Sequence, residues 1–168
     1  CNAKCPFCYY YDSVVTKSNE NTLTTEEAKK QLIQAKKLGI EEIEFTGGEV
    51  TLRNDLPELI SYAKKTLGFS IICIITNGIR LSKRDYIASL VDAGIDDILF
   101  SIHGHDAHTH DDLTKVPRSF QHIMEAIDHA NEFGLRVRTN TVVCKSNYRH
   151  LTQVLQLLIH KNVDNINF

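Results

Sequence analysis

Beyond its first few residues the chain repeats one pattern. A stretch with helical spacing of apolar positions ends at apolar-Gly-apolar, and a short β-branched run follows. The stops are Leu38-Gly39-Ile40, Leu67-Gly68-Phe69, Ala93-Gly94-Ile95 and Phe133-Gly134-Leu135, with Asn in the glycine's place at Lys161-Asn162-Val163. Gly, and after it Asn, adopts the left-handed backbone that ends a helix with least strain. Starts are equally legible. Thr24 and Glu27 make a capping box ahead of an apolar stripe at Ala28, Leu32 and Ala35. Ser82 with Asp85 opens a second helix, and Ser119 caps a stretch running to about Phe133. Pro57 sits near the start of the helix ending at Leu67, where its missing N–H costs least. Tyr148 to His160 reads as a helix with Leu151, Leu155 and Leu158 on one face.

The runs between these helices predict strands at about Ile43–Phe45, Ser70–Ile75, Asp96–Ile102, Arg136–Val143 and Asp164–Phe168. Helices alternating with short apolar strands are the mark of βαβ units and a parallel sheet. Five strands are too few for an eight-stranded barrel, which leaves a partial barrel or a doubly wound sheet. Either places ligands at the C-terminal strand ends, so the loops after Phe45, Ile75, Ile102 and Val143 are expected to face the site. No linker or low-complexity segment interrupts the pattern, and the 168 residues read as one α/β domain.

Composition narrows the function. Hydrophobic residues make up 42% and charged residues 24%, an ordinary globular balance that excludes disorder. Nineteen Lys and Arg against 21 Asp and Glu leave a net charge of −2, which gives no reason to expect nucleic acid or an anionic membrane as partner. The longest apolar run, Ile71 to Ile75, is far short of the ~20 residues that span a bilayer. Three of the five cysteines fall within the first eight residues, too crowded for a disulfide scaffold, so a reducing, cytoplasmic setting and a metal role are expected.

Those three cysteines carry the chemistry. Cys1-Asn-Ala-Lys-Cys5-Pro-Phe-Cys8 has the spacing C-x3-C-x2-C, and three thiolates so close can hold a soft metal or a cluster. A structural zinc site wants four ligands, and a three-thiolate [4Fe–4S] cluster leaves one iron open to an outside ligand. The residue pattern alone keeps a zinc-stabilised binding module and a plain electron-transfer domain as alternatives to an enzyme. At the end of the first strand comes Thr46-Gly47-Gly48-Glu49, where two glycines let the backbone approach a ligand and a carboxylate can accept from an amine.

Together these features resemble the radical S-adenosylmethionine (SAM) superfamily. The cysteine motif, with Phe7 in the aromatic place, is that family's cluster motif. Thr46-Gly47-Gly48-Glu49 matches its G-G-E-P motif with Val50 in place of Pro. Ile75-Thr76-Asn77-Gly78, Ser101-Ile102-His103-Gly104 and Asn140-Thr141-Val142-Val143 are similar to its later strand ends. The resemblance implies a partial parallel (β/α) barrel of TIM-barrel type with five to six strands, its first strand truncated here, in a core domain excised from a longer protein. It implies that Cys1, Cys5 and Cys8 ligate a [4Fe–4S] cluster whose fourth iron is chelated by SAM. Gly47, Gly48 and Glu49 would hold the SAM amino group, the backbone around Phe7 would meet the adenine, and Ser101 and Asn140 would reach the ribose or carboxylate. The implied reaction is reductive cleavage of SAM to a 5′-deoxyadenosyl radical that abstracts hydrogen from a peptide or small molecule, in peptide modification or cofactor maturation. An electron donor such as flavodoxin or ferredoxin would be the redox partner.

Other residues have plainer expectations. His103, His105, His108 and His110, with Asp106, Asp111 and Asp112, read as a solvated loop rather than a second metal site. Arg138 shares a strand face with Asn140 by the period of two. Cys73 reads as a small core residue and Cys144 as packed or incidental. Tyr9, Tyr10 and Tyr11 read as a shield beside the cysteines.

Overall fold

The structure, a computed structural model, describes residues 1–10 and 22–168. Its elements run α1 (Thr25–Lys37), β1 (Glu42–Phe45), α2 (Leu56–Ser61), β2 (Ile71–Thr76), α3 (Arg84–Ala93), β3 (Asp97–Ser101), α4 (Ala107–Thr114), α5 (Ser119–Glu132), β4 (Arg136–Asn140), α6 (Leu151–His160) and β5 (Asn165–Asn167). The five strands form one open parallel sheet in the order β1-β2-β3-β4-β5. Spatial order follows sequence order throughout, as a partial barrel requires. A doubly wound sheet would reverse its order at a switch point.

Alternation along each strand divides the sheet into two unlike faces. One carries Ile72, Ile74, Ile98, Phe100 and Val137, all fully buried, and packs against Leu56, Ile60, Ile87, Leu90, Ile123 and Ile127 of the helices. The opposite face carries Glu44, Cys73, Asp97, Ser101, Arg138 and Asn140 around Ile75 and Leu99, and is largely polar where a doubly covered parallel sheet would be aliphatic.

Local signals set most element ends. Thr24 accepts from the Glu27 N–H (3.2 Å) while the Glu27 carboxylate accepts from the Thr24 N–H (2.8 Å), closing the expected capping box. Gly39, Gly68, Gly94, Gly134 and Asn162 all take positive φ at the expected stops. Three expectations are corrected. Ser82 does not cap α3: it closes a 3-10 turn (Arg80–Ser82), where its Oγ donates to the Ile79 carbonyl, and Lys83 precedes the helix with no side-chain cap. Ser119 is the first residue inside α5 rather than its cap; Arg118 precedes it in the left-handed region. On α6 the fully buried positions are Val154 and Leu158, while Leu155 is exposed, because the helix lies rotated toward Val154. Among the described residues no helix is long and apolar enough to cross a membrane.

Candidate functional site

The end of β1 is tied to the end of β2 by a single carboxylate. Oε1 of Glu49 accepts from the Thr51 N–H (3.1 Å), the Thr51 hydroxyl (2.6 Å) and the Thr76 hydroxyl (2.7 Å), and its Oε2 accepts from the Asn77 N–H (2.8 Å). Glu49 is only 7% exposed, and a carboxylate so buried needs hydrogen bonds to both oxygens to be tolerated. Beyond it, Asn77 Nδ2 donates to Asn2 Oδ1 at 2.7 Å, reaching into the cysteine loop. The preceding glycine is a close approach. A Cβ on Gly48 would lie 3.1 Å from the Cys1 nitrogen and 3.2 Å from its Cβ, so the Gly-Gly turn cradles the first cysteine.

The cysteine loop is a tight backbone turn, with the Cys8 N–H donating to the Cys5 carbonyl (3.1 Å), and it is moored to α4 by the Lys4 N–H on the Thr114 carbonyl (2.9 Å). All five cysteines are free thiols. The Ala3 N–H points at Cys1 Sγ (3.5 Å) and the Tyr10 N–H at Cys8 Sγ (3.4 Å), donors that stabilise sulfur as thiolate. Burial, and secondarily the neighbouring Cys8, pushes the Cys5 thiol up to about 11, so metal binding there must displace a proton. Among the described residues no three His, Cys, Asp or Glu side chains converge as a single metal ion would need. A cluster taking one thiolate per iron needs no such convergence on a single point, and three free thiols, two of them with N–H donors and Cys1 against the Gly48 cradle, fit it.

Ser101 and Asn140 end β3 and β4 as register partners, both half-buried on the polar face. Two residues past Ser101, the ring of His103 meets Phe7 edge to face, with centroids 4.7 Å apart and planes at 73°. The sequence-predicted residues therefore occur in contact groups: Cys1 with Gly48, Phe7 with the end of β3, and Ser101 beside Asn140. Thr51, Thr76, Asn77 and Asn2 carry the connections among Glu49, β2 and the cysteine loop, and none of the four was named as a site residue from sequence. Only Thr76-Asn77-Gly78, visible as a strand end, gave a signal.

Several readings change. The His103–Asp112 stretch is not a solvated loop: Asp106 caps α4 by accepting from the Thr109 N–H (2.8 Å), His110 is fully buried and His103 is 4% exposed. Burial holds both rings neutral, pushed down to about 3 at His103 and about 4 at His110. Cys73 is buried, but in polar company: Arg138 donates to its sulfur (2.9 Å), to Asp97 (2.8–2.9 Å) and to Glu44 (3.3 Å). Burial, then the nearby Asp97, pushes that thiol up to about 12. Cys144 is half-buried, its N–H bonded to Asn147. Tyr9 is 83% exposed and packs on Tyr10, so it stands largely in solvent; Tyr11 lies outside the described residues.

Comparison with known proteins gives matches in both sequence and fold. The sequence model of the Radical SAM superfamily matches residues 1–158. Among curated relatives, GTP 3′,8-cyclase from Aquifex aeolicus is 32% identical over 149 residues, covering 86% of this chain and 45% of the relative. A probable GTP 3′,8-cyclase from Thermoplasma volcanium is 34% identical over 164 residues, covering 96% of this chain and 48% of the relative. This chain thus spans about half the length of the curated relatives it matches. Among solved structures, Streptococcus suis SuiB bound to S-adenosylmethionine superposes with a TM-score of 0.81 at 23% identity, covering all of this chain and 38% of that one.

Proposed function

The chain belongs to the radical SAM superfamily, and from that premise we propose that it forms the radical-initiating part of an enzyme acting on a small polar molecule. The family's cofactors, a [4Fe–4S] cluster and SAM, supply when bound together the one-electron cleavage of a sulfonium and abstraction of a hydrogen atom.

In this reading Cys1, Cys5 and Cys8 hold the cluster. Gly47 and Gly48 let the backbone come close, and Glu49 receives the SAM ammonium. Its Oε1 has three donors and its Oε2 one, so Oε2 keeps acceptor capacity for that cation. The backbone at Phe7 lies against the adenine, and Ser101 and Asn140 offer a hydroxyl and an amide to the ribose or carboxylate. The observation that carries the proposal is the contact of Gly48 with Cys1, which builds the cysteine loop and the Gly-Gly-Glu turn into one edge of the sheet.

The polar face supports a polar substrate. Below Ser101 and Asn140, Arg138 is already neutralised by Asp97 and Glu44, so hydrogen-bonding groups rather than free charge meet a ligand there. The curated relatives' name favours a small molecule over a peptide and makes a purine nucleotide the first substrate to test. The redox partner would be a one-electron donor of the flavodoxin or ferredoxin kind, in a reducing cytoplasm. The test is anaerobic reconstitution with iron and sulfide, then dithionite and SAM, with 5′-deoxyadenosine quantified. Its formation, lost in Cys→Ala variants at positions 1, 5 and 8 but not in Cys144→Ala, is the expected result. A colourless protein holding zinc, or a cluster that leaves SAM intact, would overturn the proposal.

A further inference from the structure

His103 follows β3 and is almost wholly enclosed, yet every polar contact it makes goes to a different part of the site's frame. The Val142 N–H, in the loop after β4, donates to its Nδ1 (3.3 Å). Its own N–H donates to Nδ1 of His110 in α4 (3.1 Å), and its carbonyl accepts from the buried Asn147 side chain (2.9 Å). With Nδ1 of each ring acting as acceptor, each neutral imidazole carries its proton on Nε2, and neither ring can turn over without losing a bond. The His110 ring lies nearly parallel to that of His103 (12°, centroids 6.0 Å apart), and Phe7 meets His103 edge-on at 4.7 Å. Gly104 leaves no slack. A Cβ there would come within 2.6 Å of the His110 nitrogen, so the turn after His103 is seated directly on α4. That same helix holds the cysteine loop through the Lys4–Thr114 bond.

We propose that His103 is a positioning residue for the cysteine loop: an imidazole held by the Val142 N–H, on a backbone anchored to His110, whose ring seats Phe7 and thereby fixes the path of the chain between Cys5 and Cys8. The proposal rests on the reading of these cysteines as cluster ligands. A purely space-filling role would be met by Leu, which has no ring nitrogen to satisfy but takes the acceptor away from the Val142 N–H. The lock on the ring and the edge-on contact with Phe7 give it a directional role instead, since such contacts depend on ring geometry.

The experiment measures iron release from the reconstituted protein under a chelator, together with the electron paramagnetic resonance (EPR) spectrum of the reduced cluster. His103→Leu and Phe7→Leu are each expected to speed iron release by roughly threefold to tenfold, the size of one aromatic contact, and to shift the spectrum. The double variant should be no worse than either alone, because both remove one contact. His103→Phe, which keeps a ring against Phe7 but loses the Val142 bond, should recover most of the wild-type rate. Wild-type release and spectrum in His103→Leu, or additive losses in the double variant, would overturn the proposal. If His103→Leu fails to fold by circular dichroism, Phe7→Leu against His103→Phe decides it: loss in the first with retention in the second supports positioning, and any other pair contradicts it. Should Cys8→Ala also keep its iron, the cluster assignment itself is at fault, which separates the two failures.

Discussion

Glu49 ties β1 to β2 and, in the proposed function, also receives the SAM ammonium, and one substitution addresses both by separate measurements. Its carboxylate is the acceptor for four donors joining β1 to β2, and Glu49→Gln forces an NH2 group against at least one of them. Losing one charge-assisted bond and stranding its donor costs about 1–3 kcal/mol. The melting temperature of the protein before cluster loading should therefore fall by several degrees, and SAM affinity of the loaded protein by about tenfold. Unchanged values of both would remove Glu49 from both roles. His110 has a different liability. Its folded-state value lies near 4, below the ordinary ~6.5, so between those values the unfolded chain takes up a proton that the folded chain refuses. Stability fully present above pH 6.5 is lost on acidification, by about 2 kcal/mol at pH 5 for this one ring. Denaturant unfolding at pH 7.5 and 5 should show the loss. His110→Asn, which keeps an acceptor for the His103 N–H, should flatten the slope by close to one proton. Equal slopes in the two proteins would contradict the assignment.

At the scale of elements, the polar face of the sheet depends on one ion-pair cluster. Asp97 at the start of β3 has a side chain only 3% exposed, between Arg138 (2.8 Å) and the more distant Arg136 (3.6 Å). Arg138→Met strands that carboxylate and should destabilise the protein by roughly 2–4 kcal/mol, Arg136 making up part of the loss. Adding Asp97→Asn should recover much of it, and a double variant no better than the single one would show that the charge is not the cause. The junction of β3 and α4 is similarly exacting. Gly104→Ala drives a Cβ into the His110 backbone, whereas Gly39→Ala meets nothing within 4 Å and bears only its positive φ. The first should cost clearly more than the second, for which ~1–2 kcal/mol is expected; equal losses would mean that the β3–α4 turn is looser than its contacts.

Across the whole molecule, what could be read from sequence was what neighbours in sequence decide. The Thr24–Glu27 capping box and the left-handed stops at Gly39, Gly94 and Asn162 are complete within four residues, so their signals survive without the fold. The parallel sheet followed from the βα alternation, which left its strand order open between a partial barrel and a doubly wound sheet; the resemblance implied the barrel order that the sheet has. Interactions spanning the chain left no such trace. Glu49 meets Thr76 across 27 positions and Arg138 meets Glu44 across 94, so neither the Glu49 link between β1 and β2 nor the ion-pair cluster was visible. His103 and His110 were misread because a polar run rich in His and Asp looks solvated until α4 is folded over it. Ser82 misled for the opposite reason: a good local cap lost to a 3-10 turn that its hydroxyl closes instead. The central claim is that the thiols of Cys1, Cys5 and Cys8 and the Gly47–Glu49 turn form one site for a cluster and SAM together. Its most direct test is the EPR spectrum of the reconstituted, reduced protein recorded before and after SAM is added. A cluster signal that shifts on addition, and that shifts only at higher SAM concentration in Glu49→Gln, is the expected result. A signal indifferent to SAM, or one that survives in Cys8→Ala, would contradict it.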